Sequence, residues 1–157
     1  MEVLGKPSIN PILFYTGKCS GYVCWVILLL ALFNIDIFGA IDLKYNKPIT
    51  VFFMFVGLVI SVWSTFNLGN STRLGLPTSD TTLKLNGLYK YTRNPIYVGF
   101  GFITLASIIY FLNPFVVMMG IYNILIYHVI VLNEEKFLIK RFGQDYLDYQ
   151  QKVRRYL

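Results

Sequence analysis

The sequence predicts an all-α integral membrane fold: four transmembrane helices, the last two a tight helical hairpin, followed by a C-terminal amphipathic helix. Three observations carry this expectation. Hydrophobic residues make up 55% of the 157 residues and charged residues only 14%, against the roughly 25% charged of an ordinary soluble domain; the mean hydropathy is +0.56. The apolar residues gather into runs at about 20–40, 49–68, 96–112 and 115–132. Each run is close to the ~20 residues that a helix rising 1.5 Å per residue needs to cross about 30 Å of hydrocarbon. Lysine and arginine flank these runs instead of forming a stripe on a soluble surface.

The first run is too long for the apolar core of a signal peptide and no convincing cleavage site follows it, so it is expected to stay in the mature protein. The second contains no charged residue. The third and fourth form one apolar stretch interrupted at Asn113-Pro114. Proline lacks an N–H and pushes the residue before it out of the helical region, which predicts a tight helical hairpin. Its arms are at the short end of spanning length, so a tilted or re-entrant pair is the alternative. After Glu135 the apolar positions Leu138, Phe142, Tyr146, Tyr149, Val153 and Tyr156 recur at helical spacing, with Gly143 expected to break or bend the helix. That segment either lies in the membrane interface or folds back over the cytoplasmic loop. The length predicts a single domain over 1–157, with N-terminal helices in 1–67 and the chemistry in 68–157.

The net charge of +6 and pI near 9.3 fit anionic lipid headgroups better than nucleic acid, because the cations cluster in loops beside the spans. Lys6 and Lys18 precede or open the first run. Arg73, Lys84, Lys90 and Arg93 lie in the 69–95 loop, and Lys136, Lys140, Arg141, Lys152, Arg154 and Arg155 in the tail. Only Lys44 and Lys47 fall in the 41–48 loop. The positive-inside rule therefore predicts a multi-pass protein with both termini and the long loop in the cytoplasm, the expected setting being a prokaryotic cytoplasmic membrane. Cys19 and Cys24 are too few for a disulfide framework, and no metal-ligand spacing occurs.

Polar chemistry concentrates in the stretch 87–97, Gly-Leu-Tyr-Lys-Tyr-Thr-Arg-Asn-Pro-Ile-Tyr, immediately before an apolar run. Gly87 permits a tight turn and Pro95 suits the first turn of a helix. Arg93 offers a planar fork of donors, and Tyr89 and Tyr97 offer aromatic faces with a hydroxyl at the rim. The stretch reads equally as a binding site and as an aromatic belt with a positive anchor. Glu134-Glu135 stand near the end of the last run, where a carboxylate is badly placed with respect to the helix dipole and needs a compensating cation. His128, the only histidine, is seven residues before Glu135, about two turns or ~10 Å along one helix face. Asp36 near the far end of the first run has no assigned role.

These residues, in this order, resemble the integral-membrane S-adenosylmethionine-dependent methyltransferases related to isoprenylcysteine carboxyl methyltransferase and the phospholipid methyltransferases. The resemblance rests on Gly87-Leu88-Tyr89, Arg93-Asn94-Pro95-Ile96-Tyr97, the Asn113-Pro114 hairpin, Glu134-Glu135, and the tail Phe142-Gly143-Gln144-Asp145-Tyr146 with Tyr149 and Arg154. It implies S-adenosyl-L-methionine as cofactor and a lipophilic small-molecule, lipid or lipidated acceptor, with methyl transfer at the cytoplasmic membrane face. It also implies cofactor contacts from Thr81, Thr82, Leu83, Lys84, Tyr89, Arg93, Asn94, Pro95, Ile96, Tyr97, Glu134 and Glu135. Asn94 stands where the family commonly has His, and can hydrogen-bond but not become cationic. Val131 stands where the prenylcysteine enzymes resemble one another in an Arg attributed to the substrate carboxylate. His128 and Arg93 are the candidates for catalytic roles, His128 for acceptor binding or proton removal. Two other classes compete: an NADPH-linked membrane reductase resembling the sterol reductases, whose members are much longer, and a non-catalytic membrane scaffold.

Overall fold

The computed structural model describes residues 6–35, 37–38, 46–69 and 82–157. Its elements are α1 (Pro11–Leu32), α2 (Asn46–Leu68), a 3-10 turn at Gly87–Lys90, α3 (Pro95–Phe111), α4 (Pro114–Phe142) and α5 (Gln144–Lys152). Three of them, α1, α2 and α4, are long and apolar enough to cross a membrane, and α3 is a shorter apolar helix of 17 residues. The architecture is all-helical and consistent with a membrane protein.

Helix α1, Pro11–Leu32, overlaps the 20–40 run expected from hydropathy but is shifted toward the N-terminus. Asn10 starts it, its side chain accepting the Ile12 N–H at 2.9 Å, and Pro11 takes the first turn, where a missing N–H costs nothing. Polar Thr16, Lys18 and Ser20 hid this start. They are tolerated because Thr16 pairs with the Tyr122 hydroxyl at 2.8 Å, Lys18 lies over the Phe14 ring and Ser20 bonds the Gly17 carbonyl. The helix stops at Leu32, with Asn34 in the left-handed region at φ 63°. Asp36 and Thr81, singled out from sequence, fall outside the described residues.

Small residues set the helix packing. A Cβ on Gly57 would lie 2.7 Å from the Gly99 carbonyl oxygen, and one on Gly99 would lie 2.2 Å from Ser61 Oγ. The α2 and α3 backbones thus meet closely, as small residues allow between apolar helices. Gly17 admits Ile126, and Gly21 admits Asn123, between α1 and α4. A polar chain ties three helices together: Trp25 Nε1 donates to Thr104 Oγ1 (2.9 Å), which donates to Asn123 Oδ1 (3.0 Å), while Asn123 Nδ2 donates to the Gly17 carbonyl (2.8 Å). With no water to satisfy them, such groups bond across helices. The outward face of α2 carries Phe52, Phe55, Trp63 and Phe66, all more than half exposed, a surface suited to hydrocarbon.

The hairpin forms as expected. Leu112 adopts φ 46° to end α3, and Asn113 caps α4 by accepting the Phe115 N–H at 2.9 Å. At 29 residues, α4 is about 43 Å long, some 13 Å more than the hydrocarbon needs. Its last turns, with Glu134 and Glu135, therefore project toward one end of the bundle. Gly143, at φ 56°, breaks the helix and turns the chain into α5.

Candidate functional site

Two adjacent carboxylates on α4, a helix start and the C-terminal tail meet at this end of the bundle. The turn before α3 begins with Gly87 at φ 63°, where a Cβ would lie 1.4 Å from Asn67 Oδ1, so the turn is seated against the end of α2. Tyr89 is buried and its carbonyl accepts the Tyr149 hydroxyl at 2.6 Å, joining the turn to α5. Burial lifts the Tyr149 phenol to about 12 and pushes that of Tyr89 up as well, so both stay neutral at physiological pH.

Past the turn, Thr92 pairs in a parallel bridge with Arg154. The Arg93 N–H donates to the Arg154 carbonyl (2.9 Å) and Thr92 Oγ1 to the Arg155 carbonyl (3.0 Å). The tail 153–157 is thus stitched along 92–94. Pro95 opens α3 and is itself buried, which fixes where Arg93, Asn94 and Tyr97 project.

Glu135 is the hub. Its oxygens accept Arg93 Nε (3.1 Å) and Nη2 (3.2 Å), Asn94 Nδ2 (3.0 Å) and Arg155 Nε (3.0 Å). The Arg93 and Glu135 side chains are only 8% and 5% exposed, whereas Arg155 is 36% exposed. Arg93 also donates through Nη1 to the carbonyls of Gln150 and Val153, at and beyond the C-terminal end of α5. A guanidinium there satisfies carbonyls that the helix leaves without partners. Donating a hydrogen bond to Glu135 holds the Arg155 guanidinium above its ordinary range, so it stays charged.

Glu134, one residue earlier and turned about 100° around the helix, faces the bundle interior. The Tyr97 hydroxyl reaches both of its oxygens, at 2.9 and 3.0 Å. Tyr97 packs edge-on to Tyr127 (5.4 Å between centroids) and Phe100 (6.3 Å), and Trp25 meets Phe100 at 4.9 Å. The result is a carboxylate held beside a cluster of aromatic rings.

The sequence-predicted residues divide accordingly. Arg93, Asn94, Pro95, Tyr97, Glu134 and Glu135 come together, with Tyr89 joined to them through α5. Ile96 is half-buried beside them; Thr82 and Lys84 are exposed and Leu83 half-buried in the irregular segment leading to the turn. His128 is exposed, and its Nδ1 forms a 3.0 Å hydrogen bond with the Tyr156 hydroxyl. Sequence reasoning missed Thr92 and Arg155, and it treated Lys18 only as a topology signal. Arg155 could have been suspected, since a buried carboxylate needs a partner and the tail is rich in arginine.

Comparison with known proteins covers this region. The family model described as phospholipid methyltransferase matches residues 47–145. The chain is 32% identical over 75 residues to a protein-S-isoprenylcysteine O-methyltransferase of Dictyostelium discoideum, covering 47% of this chain and 32% of the relative. It is 33% identical over 76 residues to the protein so named in Tribolium castaneum, covering 48% and 27%. Against the one of Saccharomyces cerevisiae it is 32% identical over 76 residues, covering 48% and 32%. The matched stretch thus spans about a third or less of each relative's length. Because the family match runs from the start of α2, through the turn and both carboxylates, into α5, this chain belongs to the phospholipid methyltransferase family.

Proposed function

We propose that the protein transfers a methyl group from S-adenosyl-L-methionine to a lipophilic or amphipathic acceptor at the cytoplasmic membrane face. One observation carries the reading: the Tyr97–Glu134 pair, bordered by aromatic rings, lies inside the family match and beside the Arg93–Glu135 hub. The donor set suits the cofactor. A carboxylate can receive an ammonium or ribose hydroxyls, and tyrosine and phenylalanine faces can receive an adenine or a sulfonium cation. The bound cofactor would supply an electrophilic methyl group on a positively charged sulfur.

The chain's own residues would do the rest. Tyr97 fixes the Glu134 carboxylate, Arg93 and Asn94 fix Glu135, and the tail holds Arg93, so the site is ordered before a ligand arrives. Such positioning, with exclusion of water by the surrounding rings, is what in-line transfer needs. Tyr89 and residues 82–84 border the cofactor on the loop side, and His128 faces the acceptor. The names of the relatives make an isoprenylated cysteine one chemistry for the acceptor. With α3 as a fourth crossing and both termini cytoplasmic, all of these groups lie at one membrane face.

Calorimetry of the detergent-purified protein tests the reading. Saturable heat with S-adenosylmethionine and none with NADPH is expected. Binding of NADPH alone would replace the reading with a reductase.

A further inference from the structure

Glu134 and Glu135 are neighbours in sequence but are provided for differently. Glu135 is met by two guanidinium groups and an amide. Glu134 is met by one phenol. Across the bundle, on α1, Lys18 is half-buried with its Nζ 4.2 Å from the centroid of the Phe14 ring. Lys18 and Glu134 form no ion pair within 4.0 Å.

That separation is informative. Opposite charges at the edge of a low-dielectric medium attract strongly, and a lysine stem is flexible enough to close a short gap. Here the ammonium rests on an aromatic face while the carboxylate rests on a phenol. Phe14 and Tyr127 belong to one apolar cluster, against which Tyr97 and Phe100 pack. The ring under the Lys18 ammonium and the phenol that holds the Glu134 carboxylate thus belong to one aromatic patch, which carries a positive and a negative group. Arg93 and Arg155, the cations of the neighbouring hub, are both engaged by Glu135 and supply no second positive pole.

We infer that Lys18 and Glu134 are the two poles of a subsite for an α-amino-acid zwitterion, Lys18 taking its carboxylate and Glu134 its ammonium. The inference rests on the methyltransferase reading above, under which two ligands can carry that group: the methionine end of the donor, or an amino-acid acceptor. It assigns α1, which lies outside the family match, a direct part in binding. A lysine that merely snorkels to headgroups would anchor α1 without discriminating between ligands.

Calorimetry on the full-length detergent-purified protein separates these. Two probe pairs differ in the zwitterion: S-adenosylhomocysteine against 5′-methylthioadenosine, and S-farnesylcysteine against its N-acetyl amide. Lys18→Met should weaken the zwitterionic member of one pair by about 10- to 30-fold, the worth of one charge-assisted hydrogen bond, and leave the other member unchanged. Lys18→Arg should restore most of the loss. Glu134→Gln, which can still accept from Tyr97, tests the opposite pole with the same probes. Selective loss in the first pair assigns the group to the donor, and in the second to the acceptor; either supports the subsite. Equal effects on both members of each pair, or none, overturn it, while S-adenosylmethionine binding by the wild type keeps the methyltransferase reading. Absence of that binding in the wild type overturns both.

Discussion

At the scale of single residues, the sharpest contrast is between a carboxylate whose charge is neutralised from within and one held by a single phenol. Removing one partner of a buried ion pair leaves the other charge uncompensated, at a cost of about 3–5 kcal/mol. Because Arg93 also holds the carbonyls of Gln150 and Val153, Arg93→Ala should fall at the upper end of that range and loosen the tail as well. Arg155 is more exposed, and its pair with Glu135 is screened by solvent, so Arg155→Ala should cost about 1 kcal/mol or less. Thermal unfolding in detergent, followed by circular dichroism, reads both. If Arg155→Ala proves as damaging as Arg93→Ala, the hierarchy drawn from burial is wrong. Tyr97→Phe removes the donor to Glu134 but keeps the ring in its aromatic cluster. It should lower S-adenosylmethionine affinity by roughly 5- to 10-fold, one hydrogen bond's worth, with little change in the unfolding midpoint. An unchanged affinity would remove Tyr97 from the cofactor site.

At the scale of elements, the close approaches decide what can be changed. Gly99 has the Gly57 carbonyl 2.7 Å and Ser61 Oγ 2.2 Å from where a Cβ would be. Gly99→Leu should therefore push α2 away from α3 and lower stability by several kcal/mol, whereas Gly101→Leu, where nothing lies within 4 Å of the Cβ position, should be near neutral. Monodispersity on size exclusion after mild heating distinguishes the two. The elements were legible from sequence wherever local chemistry spoke plainly: Asn113-Pro114 for the hairpin, Pro95 for the start of α3, Gly143 for the break before α5. The start of α1 was not, because hydropathy counts Thr16 and Lys18 as polar without knowing that Tyr122 and Phe14 receive them. The same blindness hid the wiring of the hub. The pattern 93–97 and the Glu pair announced a site, but nothing in the linear order of Glu135 and Arg155 says that the chain turns at Gly143 and brings them within 3.0 Å.

At the scale of the whole molecule, the charged and hydrogen-bonded groups of the site sit at one end of an apolar bundle, and the remaining question is which way that end faces. Lys6, Lys18, four cations of the 69–95 loop and six after the last apolar run stand against two in the 41–48 loop, a bias from which the positive-inside rule predicts that the site end faces the cytoplasm. If α3 is a fourth crossing, the turns after α1 and between α3 and α4 share the far side, while Asn86 beside the 3-10 turn lies on the site side. A re-entrant α3–α4 pair would instead leave the Asn113 turn within the bilayer, short of the far side. Single cysteines at Asn34, Asn86 and Asn113, in a background where Cys19 and Cys24 are replaced by alanine, separate these cases. A membrane-impermeant thiol reagent applied to intact cells should label positions 34 and 113 and spare 86 until the membrane is opened. Labelling of 34 without 113 would make the hairpin re-entrant. Labelling of 86 alone would turn the protein over, and with it the face from which a cofactor must arrive.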